Sequence, residues 1–168
     1  RTHRRYKPFG LFPAALRDAM RRYLATSYRA TPLPALWATQ LAAVLRETHT
    51  TQIVDLGSGA AGPIHLVLEE LRRAQLTPQV TLTDLYPIDL PVPHGFAAAQ
   101  VRTYPDPVDA RAVPRSLTGM RTMFAAFHHL KPADAEGVLR NAFEQRQAIA
   151  IFEGTARTPA ALLLSLLI

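Results

Sequence analysis

The stretch TQIVDLGSGAAGP, residues 51 to 63, decides how the rest of the chain is read. Thr51 to Leu56 is a short run of apolar and β-favouring residues, the pattern of a buried strand. Glycines follow at Gly57, Gly59 and Gly62, with a proline at Pro63. Glycine lets a backbone turn tightly and approach a ligand, and proline suits the first turn of a helix. From Pro63 to Arg73 the residues Ile64, Val67, Leu68 and Leu71 recur at the spacing of one helix face. A strand, a glycine loop and a helix in that order place unpaired helix N–H groups where a nucleotide-like ligand can meet them. The alternative is a glycine-rich turn that binds nothing.

Working outward, Gln79 to Thr83 reads as a second strand, Val101 to Tyr104 as a third, Arg121 to Phe127 as a fourth and Ala148 to Phe152 as a fifth. A helix from Pro132 to Gln145 joins the last two. Buried strands linked by helical crossovers imply a parallel sheet covered on both faces, an α/β fold. Two helices are expected before the first strand. One runs from Pro13 to Leu24, with Leu16, Ala19, Met20 and Tyr23 on its apolar stripe. The other runs from Pro34 to Glu47, with Trp37, Leu41, Val44 and Leu45. Residues 1–48 are therefore expected to form a helical arm or lid, and residues 49–168 the α/β core.

The 168 residues suffice for one domain with a sizeable core, and 48% hydrophobic against 19% charged residues is a globular composition. The absence of cysteine excludes disulfide scaffolds, thiolate metal sites and cysteine nucleophiles, and fits a cytoplasmic protein. No signal-peptide core opens the chain. Its closing run PAALLLSLLI is about half of the roughly 20 residues a membrane-spanning helix needs, and reads as a helix cut short. The net charge of +6 is uneven: residues 1–46 carry nine Lys or Arg and one acid, Asp18. That basic stretch is a candidate surface for a nucleic acid or another anionic partner, or simply a solvated helix face.

Gly57, Gly59 and Gly62, with Asp84 about 20 residues on, also satisfy the dinucleotide pattern G-x-G-x-x-G. Asp55 separates the readings. A carboxylate at the strand end suits a ligand bearing an ammonium group and repels a pyrophosphate.

In these residues the chain resembles the class I S-adenosylmethionine-dependent methyltransferases, whose first motif is an acidic residue followed by G-x-G-x-G. Here Ala61 stands at the third glycine position, with Gly62 beside it. The resemblance extends over residues 51–157 and implies a doubly wound, Rossmann-like sheet of strand order 3-2-1-4-5. It implies cofactor contacts from Asp55, Gly57, Ser58, Gly59 and Gly62. It puts Asp84 on the ribose hydroxyls, Leu85 against the adenine, and Asp109 with Ala110 near the adenine amino group. Phe124 and Ala125, in MRTMFAAFHHLKP, would lie near the methionine portion. The cofactor would be S-adenosyl-L-methionine and the product S-adenosyl-L-homocysteine. The wider phrase through AIAIFEGTAR resembles a bacterial branch of that family whose methyl acceptor the sequence does not name.

His128 and His129 follow the fourth strand and Glu153 ends the fifth, so all three fall at the carboxyl edge where ligands bind in such folds. A histidine there could remove a proton from an acceptor hydroxyl or amine, and Glu153 could hold or deprotonate substrate. The plainer roles are capping by the histidines and an ion pair of Glu153 with Arg157. Adjacent histidines without a further ligand cluster do not indicate a metal. A methyltransferase acting on a small molecule is the expected function. The alternatives are a non-catalytic S-adenosylmethionine-binding module, a nucleic-acid-binding module on the same fold, and an NAD(P)-dependent oxidoreductase.

Overall fold

A computed structural model describes residues 26–59, 62–87 and 95–154. In chain order these form α1 (Leu33–Glu47), β1 (Gln52–Leu56), α2 (Gly62–Arg73), β2 (Gln79–Thr83) and β3 (Val101–Thr103). Then come β4 (Met120–Phe124), a 3-10 turn (Phe127–His129), α3 (Pro132–Glu144) and β5 (Ile149–Phe152). The strands make one five-stranded sheet in the order β3-β2-β1-β4-β5, with every neighbouring pair parallel. With α1 and α2 on one face and α3 on the other, this is a doubly wound, Rossmann-like α/β fold.

One face buries Ile53, Val80, Leu82 and Met120 against Trp37, Leu41 and Leu45 of α1 and Ile64, Val67, Leu68 and Leu71 of α2. These are the two apolar stripes expected from helical spacing, and each is removed from water by its neighbour. The helix α1 is accordingly a layer of the core. The expected boundary at residue 48, with a separate helical lid before it, does not describe residues 33–47. Burial of Trp37 at 3% and Leu41 at 0% exposure explains why. The expected helix Pro13 to Leu24, the closing run and most of the basic stretch lie outside the described residues. Of that stretch, Arg29 lies 3.7 Å from Glu69 on α2.

The other face packs Val54, Leu56 and Met123 against Val138 of α3 and against Val108, Val113 and Leu117 of the β3–β4 connection. Arg121 is fully buried there. Its guanidinium donates to Asn141 Oδ1 at 2.9 Å and Gln145 Oε1 at 2.8 Å, both on α3. The same two amides hold the backbone of Val113. This network fixes α3 and the connection over β4 and partners two of the three guanidinium nitrogens, while the buried Nε has no hydrogen-bond partner among the described residues.

The strand β4 ends at Phe124, short of the expected Phe127. Ala125 turns to φ +50, and the next residues close the 3-10 turn. Among the described residues no helix is long and apolar enough to cross a membrane.

Candidate functional site

Asp55 pairs with Leu82 of β2 and Thr122 of β4 at the middle of the sheet, one residue before the end of β1. Directly after it the chain must reverse towards α2, and Gly57 and Gly59 take left-handed φ values of +68 and +52. Ser58, between them, ties the loop to β2. Its N–H donates to the Thr83 carbonyl at 2.9 Å, its hydroxyl donates to Asp55 Oδ2 at 2.7 Å, and its oxygen accepts the Thr83 N–H at 3.1 Å. Thr122 donates to the other Asp55 oxygen at 2.7 Å.

Asp55 is therefore not on the surface of the loop but behind it, 2% exposed. Burial pushes its carboxyl up to about 7, an effect that the Ser58 and Thr122 hydroxyls oppose and the nearby Asp84 charge reinforces. The expectation that Asp55 itself meets an ammonium group is corrected by this burial. Its oxygens accept from Ser58 and Thr122, and in this way it holds the loop against β2 and β4.

Asp84 follows β2 and reaches across to the loop. Its Oδ2 accepts the Gly59 N–H at 2.8 Å, and its Oδ1 accepts the Tyr86 N–H at 2.8 Å. Each oxygen keeps a second lone pair for a ligand hydroxyl. Beside it Leu85 and Tyr86 are both 45% exposed, so two large apolar side chains face outward at the strand end. The Val108 N–H donates to the Asp84 carbonyl at 2.8 Å, which brings Asp109 and Ala110 to the same edge. The Asp109 carboxylate there is engaged by Arg111, which holds it below the usual carboxylate range. Arg111 also pairs with Asp134 of α3. A turn and ion pair account for Asp109's side chain, and the backbone of the segment is what lies next to Asp84.

Phe124 does not face the carboxyl edge of the sheet. It stacks on Phe152 with ring centroids 4.7 Å apart and packs against Trp37 at 5.8 Å, inside the core. Its place at the edge is taken by Ala125 and Ala126, where a Cβ added to Gly57 would lie 3.6 Å from the Ala126 Cβ. Ala125, held in a left-handed conformation by its N–H bond to the Phe152 carbonyl, aims this turn.

At the β5 end Glu153 accepts the N–H groups of Phe127 at 2.8 Å and His128 at 3.2 Å. Its other oxygen lies 2.5 Å from His128 Nδ1. Glu153 and His128 thus form a pair, while His129 is more exposed and packs its ring on that of His128. Tyr28, upstream of α1, was not anticipated. It packs on Trp37, and burial together with the Glu153 charge raises its phenol pKa. No local motif surrounds Tyr28, so only the packing of α1 could place it here.

Gly62 opens α2 with open space where a Cβ would be, unlike the two left-handed glycines. Gly57→Ala should cost about 1–2 kcal/mol in chemical denaturation through its φ of +68. Gly62→Ala should be neutral or stabilise by up to about 1 kcal/mol. Equal losses would contradict this account of the loop.

A cavity of about 350 Å³ lies elsewhere, towards the amino edge, between Gln52, Gln79, Gln100, Arg102 and Ser116. The glycines, Asp84 and the His128–Glu153 pair converge at the opposite edge, and chemistry rather than volume places the candidate site there. Among the described residues no three His, Asp or Glu are grouped to hold a metal ion.

No family model matches the chain, and no curated protein matches it. Among solved structures it is similar to the methyltransferase domain of bacterial CtHen1-CN, with a TM-score of 0.48 and 13% identity. The likeness covers 68% of this chain and 63% of that one, so the chain spans less than two thirds of that domain's length.

Proposed function

We propose that the protein is an S-adenosylmethionine-dependent methyltransferase whose donor sits at the carboxyl edge between the glycine loop and Asp84. One observation supports this over a dinucleotide: the Ser58 and Gly59 amides of the loop are already used. The Ser58 N–H is bonded to the Thr83 carbonyl and the Gly59 N–H to Asp84. A pyrophosphate is held by such N–H groups, and here it would meet the Asp84 carboxylate in place of the Gly59 N–H. A ligand carrying an ammonium and a sulfonium is favoured by that charge.

The residues present fit that ligand. Asp84 offers lone pairs for vicinal hydroxyls, Leu85 and Tyr86 offer an apolar wall, and Gly57 to Gly59 leave the loop without side-chain bulk except Ser58, which is turned inward. When bound, S-adenosylmethionine supplies an electrophilic methyl group. The protein's part is to align the acceptor with it and exclude water. Asp55 keeps the loop in register, and Ala125 and Ala126 border the reacting end.

Calorimetric titration with S-adenosylhomocysteine and, separately, NADH tests the reading. Saturable binding of the first and none of the second is expected. Binding of NADH alone would make the protein a dinucleotide enzyme.

A further inference from the structure

We propose that His128 and Glu153 form a proton-accepting dyad, in which Glu153 is the positioning residue and His128 Nε2 takes the proton from the methyl acceptor. The proposal rests on the methyl-transfer reading above and deepens it by naming the acceptor's class.

The geometry assigns the two roles separately. Glu153 Oε1 collects two backbone N–H groups, from Phe127 and His128, and so pins the 3-10 turn that carries the histidine. Its Oε2 stands 2.5 Å from His128 Nδ1. A carboxylate held in this way accepts, so Nδ1 carries the imidazole proton and the lone pair resides on Nε2. Free imidazole side chains favour the opposite arrangement, and the selection of this one is therefore a property of the fold. Both side chains remain within reach of an acceptor, at 32% and 25% exposure. Tyr28, whose phenol feels its own burial and the Glu153 charge, has its pKa raised and keeps its proton at neutral pH. His129 packs its ring on His128 at 3.9 Å but has no such carboxylate partner among the contacts of the turn.

An acceptor bearing an O–H or N–H that must be lost on methylation fits this arrangement. Its lone pair forms the new bond to the methyl carbon as that carbon's bond to sulfur breaks, with the electron pair remaining on sulfur. Its proton passes to Nε2. The positive charge lost from the sulfonium appears on the imidazolium, against the Glu153 carboxylate, so atoms and charge balance. A thioether or a nitrogen with no hydrogen would have no use for the dyad.

The test is the tautomer of His128 in the full chain without ligand, read from long-range proton–nitrogen correlation of histidine-labelled protein above the pH of imidazole titration. His128→Gln identifies the signals. The Nδ1–H form is expected in the unsubstituted protein. In Glu153→Gln the new amide keeps the backbone N–H bonds through its oxygen and turns its NH2 towards Nδ1, so the Nε2–H form should take over. Nε2–H in the unsubstituted protein overturns the proposal, as does a tautomer unchanged by Glu153→Gln. The unsubstituted spectrum decides the first point even if the variant does not fold. Titrating the same sample with S-adenosylhomocysteine separates the two ideas: binding with Nε2–H sinks the dyad alone, and Nδ1–H without binding sinks the methyl-transfer reading.

Discussion

Asp84→Ala should lower the affinity for S-adenosylhomocysteine by about 100-fold or more, while leaving the fold intact. In the ligand-free protein this carboxylate already fastens the Gly59 and Tyr86 N–H groups at 2.8 Å each. Hydrogen bonds to a charged group are worth about 1.5–3 kcal/mol apiece, and each 1.4 kcal/mol is tenfold in binding. Removing it releases Gly59 of the loop and, in the proposed donor site, deletes the acceptor for the ribose hydroxyls as well. Asp84→Asn keeps one acceptor oxygen and should fall in between, at about tenfold. Because Asp84 is only partly buried, the cost to stability should stay near 1–2 kcal/mol. Calorimetry beside urea denaturation reads both quantities. Undiminished binding by a folded Asp84→Ala protein would remove the carboxyl edge of β2 from the site.

Asp55→Asn should flatten the dependence of stability on pH between about 4 and 7. Burial lifts the folded carboxyl from its ordinary 3.8 to about 7, with two hydroxyl donors offsetting part of the cost. Below the unfolded value both states hold the proton and the folded state keeps its full advantage. As pH rises, the unfolded chain ionises first, so stability is lost progressively until the folded group ionises near 7. The span corresponds to about 4 kcal/mol at most. The asparagine variant has no proton to exchange, so the difference between the two proteins should change across this window. Urea midpoints at pH 5 and 8 measure it, and parallel behaviour would show that Asp55 is ionised in the fold at pH 5.

Much of this site was legible along the chain because its parts are local. The glycines, Asp84 and Glu153 each sit where a strand stops, and strand ends are marked by the switch from β-favouring runs to turn residues. Phe124 and Asp109 were misplaced for a common reason. Alternation along a strand does not say which face a helix will cover, and Trp37, distant in sequence, claimed Phe124 for the core. Arg111, two residues past Asp109, claimed its carboxylate. The expected fourth strand was too long because Ala125 carries no sequence mark of its left-handed turn.

The strand order β3-β2-β1-β4-β5 was implied by the family resemblance alone, whereas periodicity and punctuation by themselves determined the element order, a parallel sheet and the glycine turn after its first strand. These follow from which residues must leave water and where the backbone must reverse. Only the tertiary structure decided that Asp55 lies behind the loop, that the Ser58 and Gly59 amides are spent on Thr83 and Asp84, and that His128 faces Glu153. Each depends on a hydrogen bond between residues about 25 or more positions apart. Such partners are chosen by strand register and helix packing, which no local pattern encodes.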